Sequence, residues 1–187
     1  MASRFDVNKY LGHPMTKALL GFSHAVEQGG LERPLLELVK IRASQINGCA
    51  YCIDMHTKDA RAFGESEQRI YALNAWRETP FFTPRERAAL EWTEAVTLVA
   101  ASHVPDDVFA GVRQHFTEEE LVSLTFAAIV INSWNRLSIA SRVTPGTYQP
   151  QPATVSYARV VVKRAKARDL GPGGRARRVV APSTVTP

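Results

Sequence analysis

Apolar residues recur at three- and four-residue intervals through most of this chain, and strict alternation is nearly absent before residue 145. That periodicity predicts helix after helix over residues 8–144. Pro14 suits a first helical turn, and the pattern it opens runs to the Gly29-Gly30 stop. The next segment, about Glu32 to Ile46, places Leu35, Leu36, Leu38, Val39 and Ile46 on a broad apolar face. Asn47-Gly48 breaks it, and Cys49 opens a helix that ends near Gly64. Thr83-Pro84-Arg85-Glu86 and Thr117-Glu118-Glu119-Glu120 each pair a capping hydroxyl with a reciprocal Glu three residues on. The second starts a helix through Leu121, Leu124, Ala128 and Ile131 towards Arg142. The expected fold is all-α: a compact bundle of six to eight helices over residues 1–144.

Charge divides the chain in the same place. The net charge is +5 over 187 residues, with 23 bases and 18 acids. Eight of those bases and one of the acids follow Thr144, so residues 145–187 carry +7 and residues 1–144 carry −2. Six of eleven prolines and four of eleven glycines also fall after Thr144. Such a stretch buries too little apolar surface to offset its ordering entropy, so a disordered or loosely docked tail is expected, with Val160-Val161-Val162 as its one strand-like run. No aromatic interleaves the basic cluster between Lys163 and Arg178, which argues against nucleic-acid stacking. No apolar run approaches the ~20 residues of a membrane span. The N-terminus has no apolar core, and the two cysteines form a C-x-x-C pair rather than a secreted scaffold. The expectation is a cytoplasmic protein with no membrane association.

That cysteine pair carries the chemistry. Residues turn by about 100° each in a helix, so Cys49, Cys52 and His56 fall within an arc of about 60°. Cys49 sits at the helix start, where free N–H groups and the macrodipole favour a thiolate; this makes it the more exposed and acidic thiol. The pair is spaced to close a disulfide, and His56 stands one turn beyond Cys52, placed to take or return a proton. Glu37 reaches the same site if the helices fold back at Asn47-Gly48. Two other readings stay open on residues alone: buried structural thiols, or a zinc site of Cys49, Cys52 and His56 completed by Glu37 or water. No Gly-rich phosphate loop suggests a nucleotide cofactor, and no cofactor is expected.

The segment Glu37-(x)11-Cys49-x-Tyr51-Cys52-(x)3-His56, within ELVKIRASQINGCAYCIDMHTKDAR, resembles the AhpD-like alkylhydroperoxidase core of the carboxymuconolactone decarboxylase family. The resemblance extends through Glu86–Thr97 to Asn132-Ser-Trp-Asn-Arg136 and covers about residues 8–144. It implies a thiol peroxidase that takes a hydroperoxide substrate and a dithiol or protein-disulfide reductant and forms homo-oligomers. By position, Cys52 would attack the peroxide and Cys49 would resolve the sulfenic acid as a disulfide. His56 would help to deprotonate Cys52, Glu37 would pass protons, and Tyr51 would hold the relay in place. The order of the two thiols follows from the resemblance and not from helix-start electrostatics, which favours Cys49. Decarboxylases of the same family name do not depend on a C-x-x-C pair, and a non-enzymatic redox sensor would use the same thiols without turnover.

Other residues suggest supporting roles. Asn132, Asn135 and Arg136 share a helix face and are placed to bond the active-site helices or a neighbouring subunit; Ser44, seven residues after Glu37, is a candidate donor behind the site. Trp92 and Trp134 suit the core. His13, His24, His103 and His115 lack ligand spacing and suit surface or capping positions.

Overall fold

The computed structural model describes residues 2–150. The Val160–Val162 run and the basic cluster lie outside the described residues. Eight α-helices form the bundle, with no strand among the described residues: α1 Pro14–Glu27, α2 Arg33–Asn47, α3 Ala50–Ala62, α4 Glu67–Ala72, α5 Pro84–Thr97, α6 Val99–Ser102, α7 Asp106–Arg113 and α8 Glu118–Ser141. Short 3-10 turns cover Val7–Tyr10 and Leu73–Glu78. The helix count meets the expectation, and no helix among the described residues is long and apolar enough to cross a membrane.

α2 is the axle of the bundle. Every residue from Leu35 to Ile41 is buried, together with Ala43 and Ser44, because α3, α5 and α8 all pack around it. Leu36 and Val39 join Leu124, Ala127 and Val130 of α8 in the largest core cluster. Leu38 and Ile41 instead meet Leu73, Trp76 and Leu90 in a second one. A helix buried all round has no solvated face on which to place polar residues. Glu37, Lys40 and Ser44, at i, i+3 and i+7, therefore form a polar stripe inside the protein, and each must find partners there.

Both sequence-predicted capping boxes form, at Thr83/Glu86 and Thr117/Glu120. His13 caps α1 as expected, its Nδ1 accepting from the Met15 N–H at 3.3 Å. The turn between α2 and α3 matters most for the site. Gly48 adopts φ 68°, ψ 32°; its N–H donates to Gln45 O at 3.2 Å, and the Cys49 N–H donates to Ser44 O at 2.9 Å. This paired closure satisfies the last carbonyls of α2 and turns the chain at once into α3, whose N-cap is Cys49. After α8 the chain returns along α3. The Gly146 N–H donates to Asp54 Oδ2 at 3.0 Å, and Lys58 Nζ donates to the carbonyls of Gly146 and Tyr148.

A Cβ added at Gly48 would meet nothing within 4 Å, so substitution there tests backbone strain alone. Gly48→Ala is expected to lower stability by about 1 kcal/mol, the cost of a left-handed non-glycine residue. Chemical denaturation measures it, and an unchanged midpoint would contradict the role given to this turn.

Candidate active site

Three polar stripes converge between α2, α3 and α8. The α2 stripe is Glu37, Lys40 and Ser44; the α3 stripe is Cys52, His56 and Asp59; α8 supplies Asn132, Asn135 and Ser138. The helix-turn-helix predicted at Asn47-Gly48 brings the first two together, which places Glu37 against His56 as expected.

Glu37 is 2% exposed and uses both oxygens. His56 Nδ1 lies 2.8 Å from Oε2, and Lys40 Nζ donates to Oε1 at 3.0 Å. Burial pushes this carboxyl up, but the charges of Lys40 and His56 and their hydrogen bonds outweigh it and hold the group down at about 2. Glu37 is therefore an acceptor only, which makes His56 Nδ1 the donor and leaves Nε2 as the basic nitrogen. Lys40, passed over in the sequence, is as much a part of this site as His56; its spacing of three from Glu37 was the available signal. Its ammonium lies 3.7 Å from Glu27 Oε1 as well.

The two thiols sit beside this ion-pair cluster, and each is 1% exposed. They are not bridged. Cys49 is thus no more exposed than Cys52, because the turn tucks it beneath Ala43 and Ile131. Its acidity has a larger source than the helix start, which contributes only the amide of the cap. The Cys52 backbone N–H donates to Cys49 Sγ at 3.4 Å, so the sulfur itself caps α3. A hydrogen bond from the Cys52 thiol lowers the Cys49 thiol most; burial opposes it, while the Cys52 amide, Asn135 and Ser138 add to it, and the thiol comes down to about 7. The same bond pushes the Cys52 thiol up, and burial and the charge on Cys49 add to the rise. Of the two thiols, Cys49 is therefore the one that ionises first, and Cys52 is the one that keeps its proton.

A hydrogen-bonded amide network backs the thiols. Asn47 Nδ2 donates to both Asn132 Oδ1 and Asn135 Oδ1 at 2.9 Å, and Asn135 Nδ2 donates to Ser44 Oγ at 3.0 Å. Asn132 and Asn135 thus both bond to α2, Asn132 Nδ2 donates to Thr97 Oγ1 of α5 as well, and Ser44 accepts from Asn135 while donating to Lys40 O. Arg136 Nη1 donates to Asn132 Oδ1 and lines a surface cavity of about 200 Å³ with Val96, Ile129, Asn132 and Ser133. Tyr51 packs half-buried against the cysteines and takes no part in the hydrogen bonds tying Glu37 to His56. Burial raises its hydroxyl, and the nearby Cys52 charge adds to the shift.

The zinc arrangement weighed from the sequence does not assemble. Among the described residues, the metal-capable side chains that converge are Glu37, His56 and Asp59, with ligand atoms within 4.8 Å of one another. Both oxygens of Glu37 are already engaged, and the Lys40 ammonium supplies the positive charge a metal would bring.

The site is thus an all-helical bundle that buries a C-x-x-C pair beside a carboxylate-histidine pair. The sequence profile of the carboxymuconolactone decarboxylase family matches residues 14–95. An uncharacterized Bacillus subtilis protein, YdfG, is 51% identical over 124 residues, which span 66% of this chain and 84% of YdfG. The chain belongs to the carboxymuconolactone decarboxylase family. Among solved structures it is similar to an Agrobacterium tumefaciens protein of unknown function, a candidate antioxidant defence protein AhpD, with 41% identity and a TM-score of 0.75. That match covers 79% of this chain and all of the other. An uncharacterized peroxidase-related protein from Ralstonia eutropha, with an alkylhydroperoxidase AhpD core, shares the fold at 23% identity and a TM-score of 0.65, over 74% of this chain and 75% of its own.

The ion pairs of Glu37 give a signed pH dependence. Its carboxyl is lower in the folded chain, about 2 against an ordinary 4.5, so their stabilisation is complete above pH 4.5 and lost as pH falls towards 2. Lys40→Met leaves Glu37 one cation short. It is expected to lower stability by about 3 kcal/mol at neutral pH and to move the acid-unfolding midpoint upward. Denaturant titrations across pH measure both, and a midpoint unmoved by the substitution would contradict this account of the site.

Proposed function

We propose that this protein is a thiol-dependent peroxidase of the alkylhydroperoxidase type, cycling between the Cys49/Cys52 dithiol and its disulfide. The observation that carries the reading is the buried C-x-x-C pair, with Cys49 Sγ capping α3 through the Cys52 N–H, beside the His56–Glu37 pair. The resemblance makes Cys52 the attacking sulfur, whereas the electrostatics at rest favour Cys49 as the thiol that ionises. The higher-pKa sulfur is the stronger nucleophile once deprotonated, and Nε2 of His56 is the base that accepts its proton. Attack on the peroxide O–O bond leaves Cys52 as a sulfenic acid, and the leaving alkoxide takes the proton from His56 to depart as alcohol. The Cys49 thiolate then attacks the sulfenic sulfur, forming the S–S bond and breaking the S–O bond; the hydroxide that leaves takes a proton from solvent and departs as water. An external dithiol returns two electrons and restores the pair.

Glu37 serves this cycle by fixing the ring of His56 and supporting its protonated form; a carboxyl held at about 2 stays ionised throughout. Tyr51 fills the space beside the thiols. Turnover of an organic hydroperoxide with a dithiol donor tests the proposal. Cys49→Ser and Cys52→Ser should each abolish multiple turnover, and sulfenic acid trapped in Cys49→Ser alone identifies Cys52 as the attacking sulfur. Glu37→Gln should slow turnover by about 10²-fold. Full turnover in either cysteine variant would sink the dithiol cycle.

The expected self-association has a candidate surface. Val122, Phe126 and Ile129 stand exposed at i, i+4 and i+7 on the outer face of α8. We propose that a second copy of this chain covers them, since an apolar stripe of this kind is costly to leave in water. Light scattering should give an oligomer that Phe126→Glu weakens; a monomer at all concentrations would refute it.

A further inference from the structure

Asp59 is a buried acid to which the peroxidase cycle above assigns no work. It lies on α3 at i+3 from His56, is 6% exposed, and has an oxygen within 4.8 Å of both the His56 ring nitrogen and a Glu37 oxygen. Its hydrogen bond comes from the far end of the described chain. The Tyr148 hydroxyl donates to Asp59 Oδ1 at 2.7 Å. Tyr148 is held there by its own backbone: Lys58 Nζ donates to Tyr148 O at 3.1 Å while also pairing with Asp54, which in turn accepts from the Gly146 N–H. With the Lys58 bond to Gly146 O, three contacts to the partly exposed side of α3 thus aim one phenol into the buried side.

We propose that Asp59 is a positioning residue of the proton relay, acting through His56, and that Tyr148 sets its ionisation. The inference rests on the peroxidase reading only for its purpose; the coupling itself is a property of the reduced chain. The groups facing Asp59 are Glu37 and Lys40 from α2, Tyr51 and His56 on its own helix, and Tyr148 from the returning segment. Burial raises the Asp59 carboxyl and the Glu37 charge raises it further, while the Tyr148 bond and the charges of His56 and Lys40 pull it down. Burial prevails and holds the carboxyl above its ordinary range, and the Tyr148 bond is the strongest influence against that rise. With Asp59 ionised, two carboxylates flank His56 and favour the imidazolium formed when it takes a thiol proton. With Asp59 protonated, only the Glu37 carboxylate remains beside the ring to offset that charge. Tyr148 donates to the ionised form and so widens the pH range in which His56 works. The segment that follows the helical bundle thereby completes the site.

The test uses the full chain and readouts that need no peroxide. The Asp59 carboxyl is followed by carbon-13 NMR across pH, and the rate of thiol alkylation by iodoacetamide is followed across the same range. Tyr148→Phe keeps the ring and removes the donor, so the Asp59 titration and the acid limb of the alkylation profile should both move up by about one pH unit. Asp59→Asn should shift that limb as a permanently protonated Asp59 would, and Asp59→Glu should restore it, whereas a purely structural role would change the melting temperature and leave the profile in place. An Asp59 titration identical with and without the Tyr148 hydroxyl overturns the proposal, as does an alkylation profile indifferent to Asp59→Asn. A protein that shows the shifts but consumes no hydroperoxide removes the peroxidase reading and leaves this inference standing.

Discussion

A carboxylate buried at the centre of the bundle and ionised there is the constraint on which the rest of this structure depends. Glu37 lies on a helix with no solvated face, so its charge survives only because Lys40 and His56 are brought to its two oxygens. Lys40 is on the same helix and comes with it. His56 arrives only if α3 folds back along α2 in one register, and that register is set by the turn at Gly48. The same turn places Cys49 as the cap of α3 and Cys52 one turn short of His56. Burial, turn and thiol placement are therefore consequences of one another, and a change to any of them is felt at the sulfurs.

The thiol pair shows why a helix start and a neighbour's proton act together. A cap position alone favours a thiolate, but burial opposes it; the decisive contribution to the acidity of Cys49 is the bond from Cys52. That bond has an equal and opposite consequence for Cys52. The pair thus holds an acidic sulfur beside a basic one, with His56 one turn away and its free nitrogen defined by the acceptor-only Glu37.

Much of this was legible in the sequence, for identifiable reasons. The turn, both capping boxes and the Cys49-Cys52-His56 face depend on spacing along one or two adjacent helices, which a linear pattern records. Glu37 was legible because it is one short hairpin away. The missing members failed in different ways. Lys40 reads as a surface charge until α2 is known to be buried all round. Asp59 sits in a stretch with Lys58 and Arg61, where charged residues look solvated. Tyr148 is 89 residues from its partner Asp59, and no periodicity relates the two. The expectation that Cys49 would be the more exposed thiol failed because helix-start reasoning does not know that Ile131 of α8 closes over the turn.

The central claim is that the two cysteines form one redox unit driven by the buried carboxylate-histidine pair. The most direct measurement is a free-thiol count, with mass spectrometry, on the reduced protein before and after one equivalent of an organic hydroperoxide. The account predicts loss of both thiols from the same chain and an intramolecular Cys49–Cys52 disulfide. Two thiols that persist unchanged, or a disulfide formed only between chains, would contradict it.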